Sequence, residues 1–460
     1  MKASLISLGC SKNQVDSEIV LGRLDRADIS FTPNLQEAEI IIINTCAFIK
    51  EARDEAYQTI KEVIKEKKSH QRLIVMGCLT QLEGKRLFKK YPQINALLGS
   101  ADFYGIDQAI KEDLHFSSIS SSPTYLASSS CRRILSTPQT YAYLKIAEGC
   151  SNNCSYCLIP KLRGRYRSRP LEDIIKEAGS LAQAGVKELI LIAQDTTFYG
   201  WDLGDKFLLP KLLLELAKIS EIVWIRLLYT HPAHFTRELI KEVARIDKVC
   251  PYLDLPLQHT SDRILKSMGR PESKVVFNLI ERLREEIPRM VLRTTMMVGF
   301  PGETAQEFGK LLKDVQRLRF DWLGAFPYSK ERGTKAASFG QRPSKKTAME
   351  RYKEIMTLQQ EITYSKNLER VGQTFSCLAD KKSCGHTFFQ SPEIDGQVIF
   401  QRDHKEGELF KAEILEVKEV YDLISWGNMG DAGKKRKKLF GIVSITDYAA
   451  GTEVKDGLTG

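Results

Sequence analysis

Three closely spaced cysteines are the strongest chemical signal in this 460-residue chain. Cys150, Cys154 and Cys157 form a Cys-x3-Cys-x2-Cys motif, and a predicted strand, Tyr141–Ala147, directly precedes it. Thiolates on one short loop can each hold one iron of a [4Fe–4S] cluster. Because the motif offers three thiolates, the fourth iron is left open for a non-protein ligand. Structural zinc is the alternative, but it usually needs a closed set of four ligands, and the next histidine along the chain is His231.

Three further cysteines are far apart in the sequence, yet each directly follows a predicted strand. They are Cys10, Cys46 and Cys78, and the strands are Ala3–Leu8, Glu39–Asn44 and Arg72–Met76. Helices predicted over Val15–Leu24 and Phe48–Lys65 alternate with these strands, which indicates a parallel sheet with crossover helices. Ligands bind beyond the carboxyl ends of such strands. A free cysteine is often a small buried hydrophobic residue, but three at equivalent strand ends predict one shared site.

The composition is that of an ordinary globular chain with an unusual number of thiols. Hydrophobic residues make up 42% and charged residues 27%, and no apolar run approaches the roughly 18 residues of a membrane span. Ten cysteines are unusual in a reducing compartment, where clustered thiols more often bind metal than form disulfides. The start of the chain lacks a secretory apolar segment. We expect a cytoplasmic protein without a membrane partner, and the net charge of +10 permits a nucleic acid or ribonucleoprotein partner.

Changes in composition divide the chain into three domains, a linker and a tail. The predicted segments are an N-terminal parallel α/β domain over residues 1–115, a Ser-rich linker over 116–138, a central α/β domain over 139–368, a small β domain over 369–426 and a basic tail over 427–460. The tail contains five consecutive cations, Lys434–Lys438. Such a run is usually a solvated segment, although contact with ribosomal RNA phosphates is the alternative.

The Cys-x3-Cys-x-aromatic-Cys pattern, in which the aromatic residue is Tyr156, resembles that of the radical S-adenosylmethionine superfamily. The resemblance implies that the open iron binds the amino and carboxylate groups of S-adenosylmethionine. It also implies that electron transfer from the cluster cleaves this cosubstrate to a 5′-deoxyadenosyl radical. The remaining cysteines, Cys131, Cys250, Cys377 and Cys384, have no spacing that indicates a ligand set.

The central domain contains six predicted strands, which suits the incomplete (βα)6 barrel of that superfamily. The strands are Tyr141–Ala147, Glu188–Ala193, Val223–Leu228, Tyr252–Leu255, Met290–Val298 and Trp322–Phe326. The active site should lie at their carboxyl ends. Polar residues near strand ends are therefore candidate contacts to S-adenosylmethionine, with a structural role as the competing interpretation. These candidates are Tyr156 beside the cluster, Gln194 (with Asp195 next to it), Gln258, and Arg293, whose guanidinium suits a carboxylate.

Two cluster motifs, one of them on an N-terminal α/β domain, resemble the methylthiotransferases within this superfamily. The resemblance covers about Lys2 to Trp426. It implies that Cys10, Cys46 and Cys78 hold an auxiliary [4Fe–4S] cluster, in addition to the radical-generating cluster. It also implies that the third domain is a TRAM domain, a small β-barrel.

Local strings resemble the RimO branch of this family, which modifies an aspartate of small-subunit ribosomal protein S-twelve at its β-carbon. They are Leu8-Gly-Cys10-Ser-Lys12-Asn13, Ala193-Gln194-Asp195-Thr196, Ser391-Pro392-Glu393-Ile394-Asp395-Gly396 and Tyr421-Asp422-Leu423. The alternative is the branch that makes 2-methylthio-adenosine in tRNA, whose motif usually has Gln-Met-Asn after the first cysteine. A non-catalytic iron–sulfur protein associated with the ribosome is an alternative of another class.

The resemblance implies a reaction that consumes two molecules of S-adenosylmethionine per turnover. One methylates sulfur carried by the auxiliary cluster, and the other yields the radical that removes hydrogen from the aspartate β-carbon. An electron donor and a sulfur donor are required partners, and the substrate is the ribosomal protein, either free or in the ribosome. Because the cofactors carry this chemistry, we assign no acid–base residue.

Overall fold

The computed structural model describes residues 1–112, 115–204 and 207–427, and it begins with a six-stranded parallel sheet. The strands are β1 Lys2–Ser7, β2 Ser30–Phe31, β3 Ile40–Thr45, β4 Arg72–Gly77, β5 Ala96–Leu98 and β6 Phe116–Ser118, in the order β2-β1-β3-β4-β5-β6. The helices are α1 Ser11–Arg26, α2 Lys50–Glu66, α3 Cys78–Glu83, α4 Arg86–Lys90 and α5 Ile106–Ala109. The parallel α/β prediction is confirmed.

The sequence pattern explains both layers of this domain. Strand β3 is buried along its whole length, as expected for a strand with helices on both faces of its sheet. Helix α2 buries Ala56, Ile60 and Val63, a spacing of three to four residues that places them on one face. The Ser-rich stretch differs from the linker expected there, because its first three residues form β6 and pair with β5.

A second six-stranded parallel sheet forms the central domain, as the incomplete (βα)6 barrel requires. Its strands are β7 Tyr141–Lys145, β10 Glu188–Ile192, β11 Trp224–Leu227, β12 Val249–Asp254, β13 Val291–Val298 and β14 Trp322–Pro327, with the short ribbon β8 Ala147–Glu148 and β9 Arg167–Ser168 beside them. The helices are α6 Ile159–Arg163, α7 Leu171–Gln183, α8 Leu209–Ala217, α9 Arg237–Arg245, α10 Asp262–Met268, α11 Ser273–Glu286, α12 Ala305–Leu318 and α13 Lys345–Arg370.

The C-terminal part is a closed five-stranded barrel, which confirms the small β-barrel prediction. Its strands are β15 Thr374–Lys381, β16 Cys384–Thr387, β17 Val398–Phe400, β18 Leu409–Lys418 and β19 Asp422–Gly427. This barrel packs on the central sheet: buried Arg226 donates to the carbonyls of Phe388 and Thr387, and the Trp322 indole donates to the Phe389 carbonyl at 2.6 Å.

The sequence also predicted a basic tail and no membrane-spanning segment. The basic run at residues 434–438 lies outside the described residues. Within the described part of the chain, no helix is both long and apolar enough to cross a membrane.

Candidate metal centres and cosubstrate site

Folding brings Cys10, Cys46 and Cys78 to one edge of the first sheet. Cys10 caps the N-terminus of α1 directly after β1, Cys46 follows β3, and Cys78 is the first residue of α3 after β4. The order of the strands reverses between β1 and β3, and such a switch point opens a crevice beyond the carboxyl ends of the strands. We call these three residues the strand-end triad.

Two glycines allow the backbone to pass close to the strand-end triad. Gly9 has φ +98°, and a Cβ there would stand 2.7 Å from the Cβ of Cys46. Gly77 has φ +96°, and a Cβ there would stand 2.4 Å from Asn44 Oδ1. Both positions combine a left-handed backbone with a contact too short for any side chain, so glycine is required.

The environment of the strand-end triad differs from one thiol to the next. Burial raises the pKa of Cys78 to about 12, although the Arg163 guanidinium opposes the shift. Burial and the neighbouring Cys10 raise the pKa of Cys46. At Cys10 burial is outweighed by the cations Lys12 and Arg163 and by backbone N–H groups, so its pKa is lowered. The thiolate form that binds metal is therefore more favoured at Cys10 than at Cys46 or Cys78.

The other three cysteines, which we call the loop triad, lie on the segment between β8 and α6. Neighbouring backbone fixes this loop: Cys150 N–H donates to Gly164 O at 3.1 Å, and Ser155 N–H donates to Met268 O at 2.9 Å. Gly269, at φ +71°, lies against the loop, since a Cβ there would stand 2.7 Å from Asn153 O. The loop conformation thus depends on close contact with the end of α10.

The thiols of the loop triad are partly screened from solvent. Burial raises the pKa of Cys150 to about 11, so metal must displace the proton for this group to act as a thiolate. Ile159 N–H lies 3.4 Å from the Cys157 Sγ as a donor, and Arg270 Nη1 lies 4.0 Å from the Cys154 Sγ. These donors suit sulfur atoms that carry negative charge.

Both triads fit a polynuclear cluster better than a single metal ion. All ten cysteines lie within the described residues and are free thiols. Tetrahedral zinc with bonds of about 2.3 Å would hold its sulfurs about 3.8 Å apart. Among the described residues, neither triad has its three sulfur atoms within 4.8 Å of one another. The three-thiol sets, the glycine cradle and the nearby N–H donors are the features that a larger cluster needs.

A buried ionic network connects the two triads. Arg163 donates to Asn13 Oδ1 and, at 2.7 Å, to Asp16 Oδ2, and both of these residues lie on α1 just after Cys10. Lys145 donates to Asp16 and, at 2.8 Å, to Glu148, two residues before Cys150. Burial would raise the pKa of Glu148, but Lys145 and Arg163 outweigh it and lower the pKa to about 2. All four charges of this network are buried and paired.

Two of the predicted cosubstrate contacts leave a polar atom available at the strand ends. Gln194 donates to Glu148 Oε1 at 2.6 Å, while its own Oε1 is buried and has no hydrogen-bond partner in the described part of the chain. Gln258 has φ +74° and is buried, and its Oε1 also lacks a partner among the described residues. A buried amide oxygen without a donor costs free energy, so both atoms suit a ligand that donates hydrogen bonds.

The other two predicted contacts have different surroundings. Tyr156 is half-buried and packs against the apolar cluster that contains Met268 and Phe300, beside the loop triad. Arg293 pairs with Asp254 Oδ1 at 3.0 Å and with Asp395 Oδ1, from the C-terminal barrel, at 3.5 Å. Its guanidinium is therefore already engaged with two carboxylates.

Sequence reasoning named Asp195 beside Gln194 at a strand end but missed the partners through which Asp195 supports the loop triad. Asp195 Oδ2 accepts from Asn152 Nδ2 at 2.7 Å and contacts His234 Nδ1 at 2.8 Å. Its other oxygen accepts from Thr197 at 2.7 Å. The side-chain ligand atoms of Asp195, His231 and His234 lie within 4.8 Å of one another, but the carboxylate is already satisfied by these donors. Its position at the end of a barrel strand was the signal available in the sequence.

The fold and the site together define a radical S-adenosylmethionine protein. The radical SAM superfamily model matches residues 144–315, the uncharacterized protein family UPF0004 matches residues 2–99, and the TRAM domain matches residues 371–426. A radical S-adenosylmethionine methyltransferase, TsrM, from Kitasatospora setae shares the fold, with a TM-score of 0.51 and 13% identity over 71% of this chain and 74% of that one. The class uses an iron–sulfur cluster and S-adenosylmethionine.

Sequence relatives narrow the class to one family. The ribosomal protein uS12 methylthiotransferase RimO of Thermoanaerobacter sp. is 45% identical over 91% of this chain and 98% of its own length. That of Aquifex aeolicus is 44% identical over 92% of this chain and 96% of its own length. This chain belongs to the RimO family of methylthiotransferases, so the RimO branch, and not the tRNA branch, is the correct assignment.

Proposed function

We propose that this chain transfers a methylthio group to the β-carbon of an aspartate in ribosomal protein uS12, the S-twelve protein named above. The single observation that carries the proposal is the convergence of two cysteine triads, one from each α/β domain, on a shared buried network through Asp16, Lys145 and Arg163. An enzyme that joins sulfur to carbon must hold the sulfur source and the radical source over one substrate. The relatives named for this activity support the same conclusion.

We assign one [4Fe–4S] cluster to each triad and S-adenosylmethionine to the loop triad. When bound, these groups supply a radical able to remove hydrogen from an unactivated carbon, and the sulfur that the carbon then receives. Each of the two proposed α/β domains has one role. Residues 1–115 hold the cluster that supplies sulfur, and residues 139–368 hold the cluster that generates the radical. The C-terminal barrel over 369–426 is the proposed dock for uS12.

The side chains of this protein bind and orient S-adenosylmethionine and exclude water from the site. Gln194 and Gln258 each present an amide oxygen that accepts from no donor of the described residues, so they would accept from the amino or hydroxyl groups of S-adenosylmethionine. Tyr156 screens the loop triad from solvent on its apolar side. For Arg293 to bind the methionine carboxylate, it must exchange one of its two present carboxylate partners, and we propose it as a lesser contributor. No side chain is required as an acid or base.

The proposed partners follow from this chemistry. An electron donor must reduce the cluster on the loop triad, and a sulfur donor must resupply the strand-end triad. Ribosomal protein uS12, free or in the ribosome, is the proposed substrate, and we propose a cytoplasmic location on that basis.

The proposed function is tested by mass spectrometry of purified substrates. The reconstituted protein is incubated anaerobically with S-adenosylmethionine, a reductant and either uS12 or total tRNA, and a Cys154→Ala variant is the control. The proposal predicts that one uS12 aspartate gains the mass of a methylthio group in place of hydrogen, and that the variant leaves it unmodified. A methylthio mark on tRNA with uS12 unchanged would contradict it, and cluster-bearing protein that modifies neither would support a non-catalytic role.

A further inference from the structure

Lys12 is a buried cation that pairs with no carboxylate of the described residues. It lies two residues after Cys10 in the first turn of α1, and 7% of its surface is exposed. Within the described residues, no carboxylate oxygen is within 4.0 Å of its ammonium group, and the ionisable group on which its charge acts is the thiol of Cys10. Its contact is instead with an aromatic ring, because the Nζ atom lies 2.9 Å from the ring centroid of Tyr229.

Other deeply buried cations of this protein show how unusual that arrangement is. Lys145 and Arg163 pair with the carboxylates of Asp16 and Glu148, and Arg226 pairs with Glu188 at 2.6 Å. A buried charge without a counterion is costly. A cation–π contact offsets only part of that cost, so an incoming carboxylate would gain a charge-assisted hydrogen bond from Lys12.

Tyr229 fixes the position of this cation at the boundary between the two domains. It follows β11 at the carboxyl end of the barrel, and its φ of +58° is strained for a bulky residue. Three contacts hold it there: its N–H donates to Asp254 Oδ2 at 3.1 Å, its carbonyl accepts from Thr196 N–H at 3.0 Å, and its hydroxyl lies 3.2 Å from Ser11 Oγ. These contacts hold the Tyr229 ring against the Lys12 ammonium group.

We propose that Lys12 binds the side-chain carboxylate of the substrate aspartate. This inference rests on the proposed function and deepens it by naming the group that recognises the acceptor residue. An ammonium–carboxylate hydrogen bond spans about 2.7–2.9 Å, and the β-carbon is bonded directly to the carboxylate carbon. Anchoring that carboxylate two residues from Cys10 holds the β-carbon beside the strand-end triad, where the sulfur is supplied.

The test compares two peptides that carry the uS12 target sequence, one with aspartate and one with asparagine at the modified position. Each is given to reconstituted wild type, Lys12→Met, Lys12→Arg and the control Lys61→Met, which changes an exposed lysine of α2. The measured quantities are KM and kcat for the methylthio product. Iron content and the electron paramagnetic resonance spectrum of each variant report on the clusters.

Wild type is expected to prefer the aspartate peptide strongly. Because hydrogen bonds to charged groups contribute about 1.5–3 kcal/mol, Lys12→Met should raise KM for that peptide by about 10- to 100-fold and remove most of the preference for aspartate over asparagine. Lys12→Arg should retain the preference in part, since it keeps the charge. Formation of 5′-deoxyadenosine, which depends on the loop triad, should match that of Lys61→Met.

Three outcomes would overturn the inference. Unchanged discrimination in Lys12→Met would show that another group reads the carboxylate. An equal loss of activity on both peptides would indicate a role in positioning and not in recognition. Loss of iron from the strand-end triad in Lys12→Met, with discrimination intact, would assign Lys12 to the cluster. Failure of wild type to modify either uS12 peptide is a separate result, because it removes the proposed function itself.

Discussion

The two cysteine triads reach the same number of thiols by opposite routes. The strand-end triad is gathered from three strands of one sheet and spans positions 10 to 78, whereas the loop triad occupies one turn of chain between positions 150 and 157. The first therefore exists only when the whole parallel sheet has formed. The second needs only its loop, together with the α10 end and the barrel strand ends that hold it.

Their electrostatic surroundings differ in the same sense. Two cations from different domains, Lys12 and Arg163, act on the strand-end triad. The loop triad has Arg270 on one side and the Asp195 carboxylate near Cys150 on the other. We infer that residues of both α/β domains shape the strand-end triad. The loop triad is formed within the central domain, and its neighbours alter the charge around its thiols.

The largest expected effect comes from removing a thiol, and it separates the two triads by the step that fails. Cys150→Ala should abolish both cleavage of S-adenosylmethionine and methylthio transfer. Cys46→Ala should abolish transfer but leave cleavage. Each lost step should fall by more than the roughly 10- to 100-fold typical of altering a supporting group, as measured by chromatography of 5′-deoxyadenosine and mass spectrometry of uS12.

A variant at a cysteine outside both triads is the control for that prediction. Cys131→Ala changes a free thiol outside both triads and should leave both steps intact. If Cys46→Ala abolished cleavage as completely as Cys150→Ala, the two triads would not be separate modules.

A smaller but still large effect is expected from the glycines that pack against each triad. Gly9→Ala places a Cβ 2.7 Å from the Cβ of Cys46, and Gly269→Ala places one 2.7 Å from Asn153 O. Gly9→Ala should lower iron on the strand-end triad alone, and Gly269→Ala on the loop triad alone. Iron analysis with electron paramagnetic resonance checks both.

Gly84→Ala provides the control for left-handed backbone without crowding. Gly84 has φ +58° and ψ −148°, and a Cβ there would meet no atom of the described residues within 4 Å, so only about 1–3 kcal/mol of stability should be lost and no iron. Equal iron loss in Gly84→Ala and Gly9→Ala would show that backbone strain, and not close approach, governs cluster loading.

The buried ionic network between the triads should stabilise the fold as well as position the two triads. Arg163→Met leaves Asp16 and Glu148 buried with one cation fewer, which should cost about 3–5 kcal/mol. The free energy of unfolding from denaturant titration measures this loss. Arg86→Met, in which the side chain is 66% exposed, should change it by about 0.5 kcal/mol or less. Equal effects of the two substitutions would mean that the network does not join the domains.

The smallest effect concerns His386 of the C-terminal barrel, whose two carboxylate partners belong to neither triad. His386 lies between Glu188 Oε2 at 2.6 Å and Asp380 Oδ2 at 2.7 Å. Burial would lower the pKa of His386, but the two carboxylates outweigh it and raise the pKa to about 9. Since the folded pKa exceeds the unfolded value of about 6.5, protonated His386 stabilises the fold fully below pH 6.5, and this contribution is lost as pH rises through 9.

The size of that contribution is about 3 kcal/mol. Denaturant titrations at several pH values should show it as a fall in stability between about pH 6.5 and 9, which His386→Gln should largely remove. At any one pH, iron on both triads should be the same in wild type and in His386→Gln before unfolding. A His386→Gln protein with the wild-type pH dependence would contradict this assignment.

Sequence reasoning succeeded where local pattern and topology agree. The loop motif predicted that Cys150, Cys154 and Cys157 share one loop, and strand–helix alternation predicted that Cys10, Cys46 and Cys78 share a sheet edge. That the two triads bind clusters stays a prediction. The short strands β2, β5 and β6 were missed because two or three residues carry no readable alternation. Arg293 could not be assigned from sequence either, because its partner Asp395 is about a hundred residues away and on another domain.

The central claim, that each triad holds its own cluster, is tested most directly by counting iron. Wild type, Cys10/Cys46/Cys78→Ala and Cys150/Cys154/Cys157→Ala are reconstituted under the same conditions, and iron and sulfide are measured per folded chain. The account predicts about eight irons in wild type and about four in either triple variant, since each [4Fe–4S] cluster holds four. About four irons in wild type, or loss of all iron in one triple variant with none lost in the other, would contradict it.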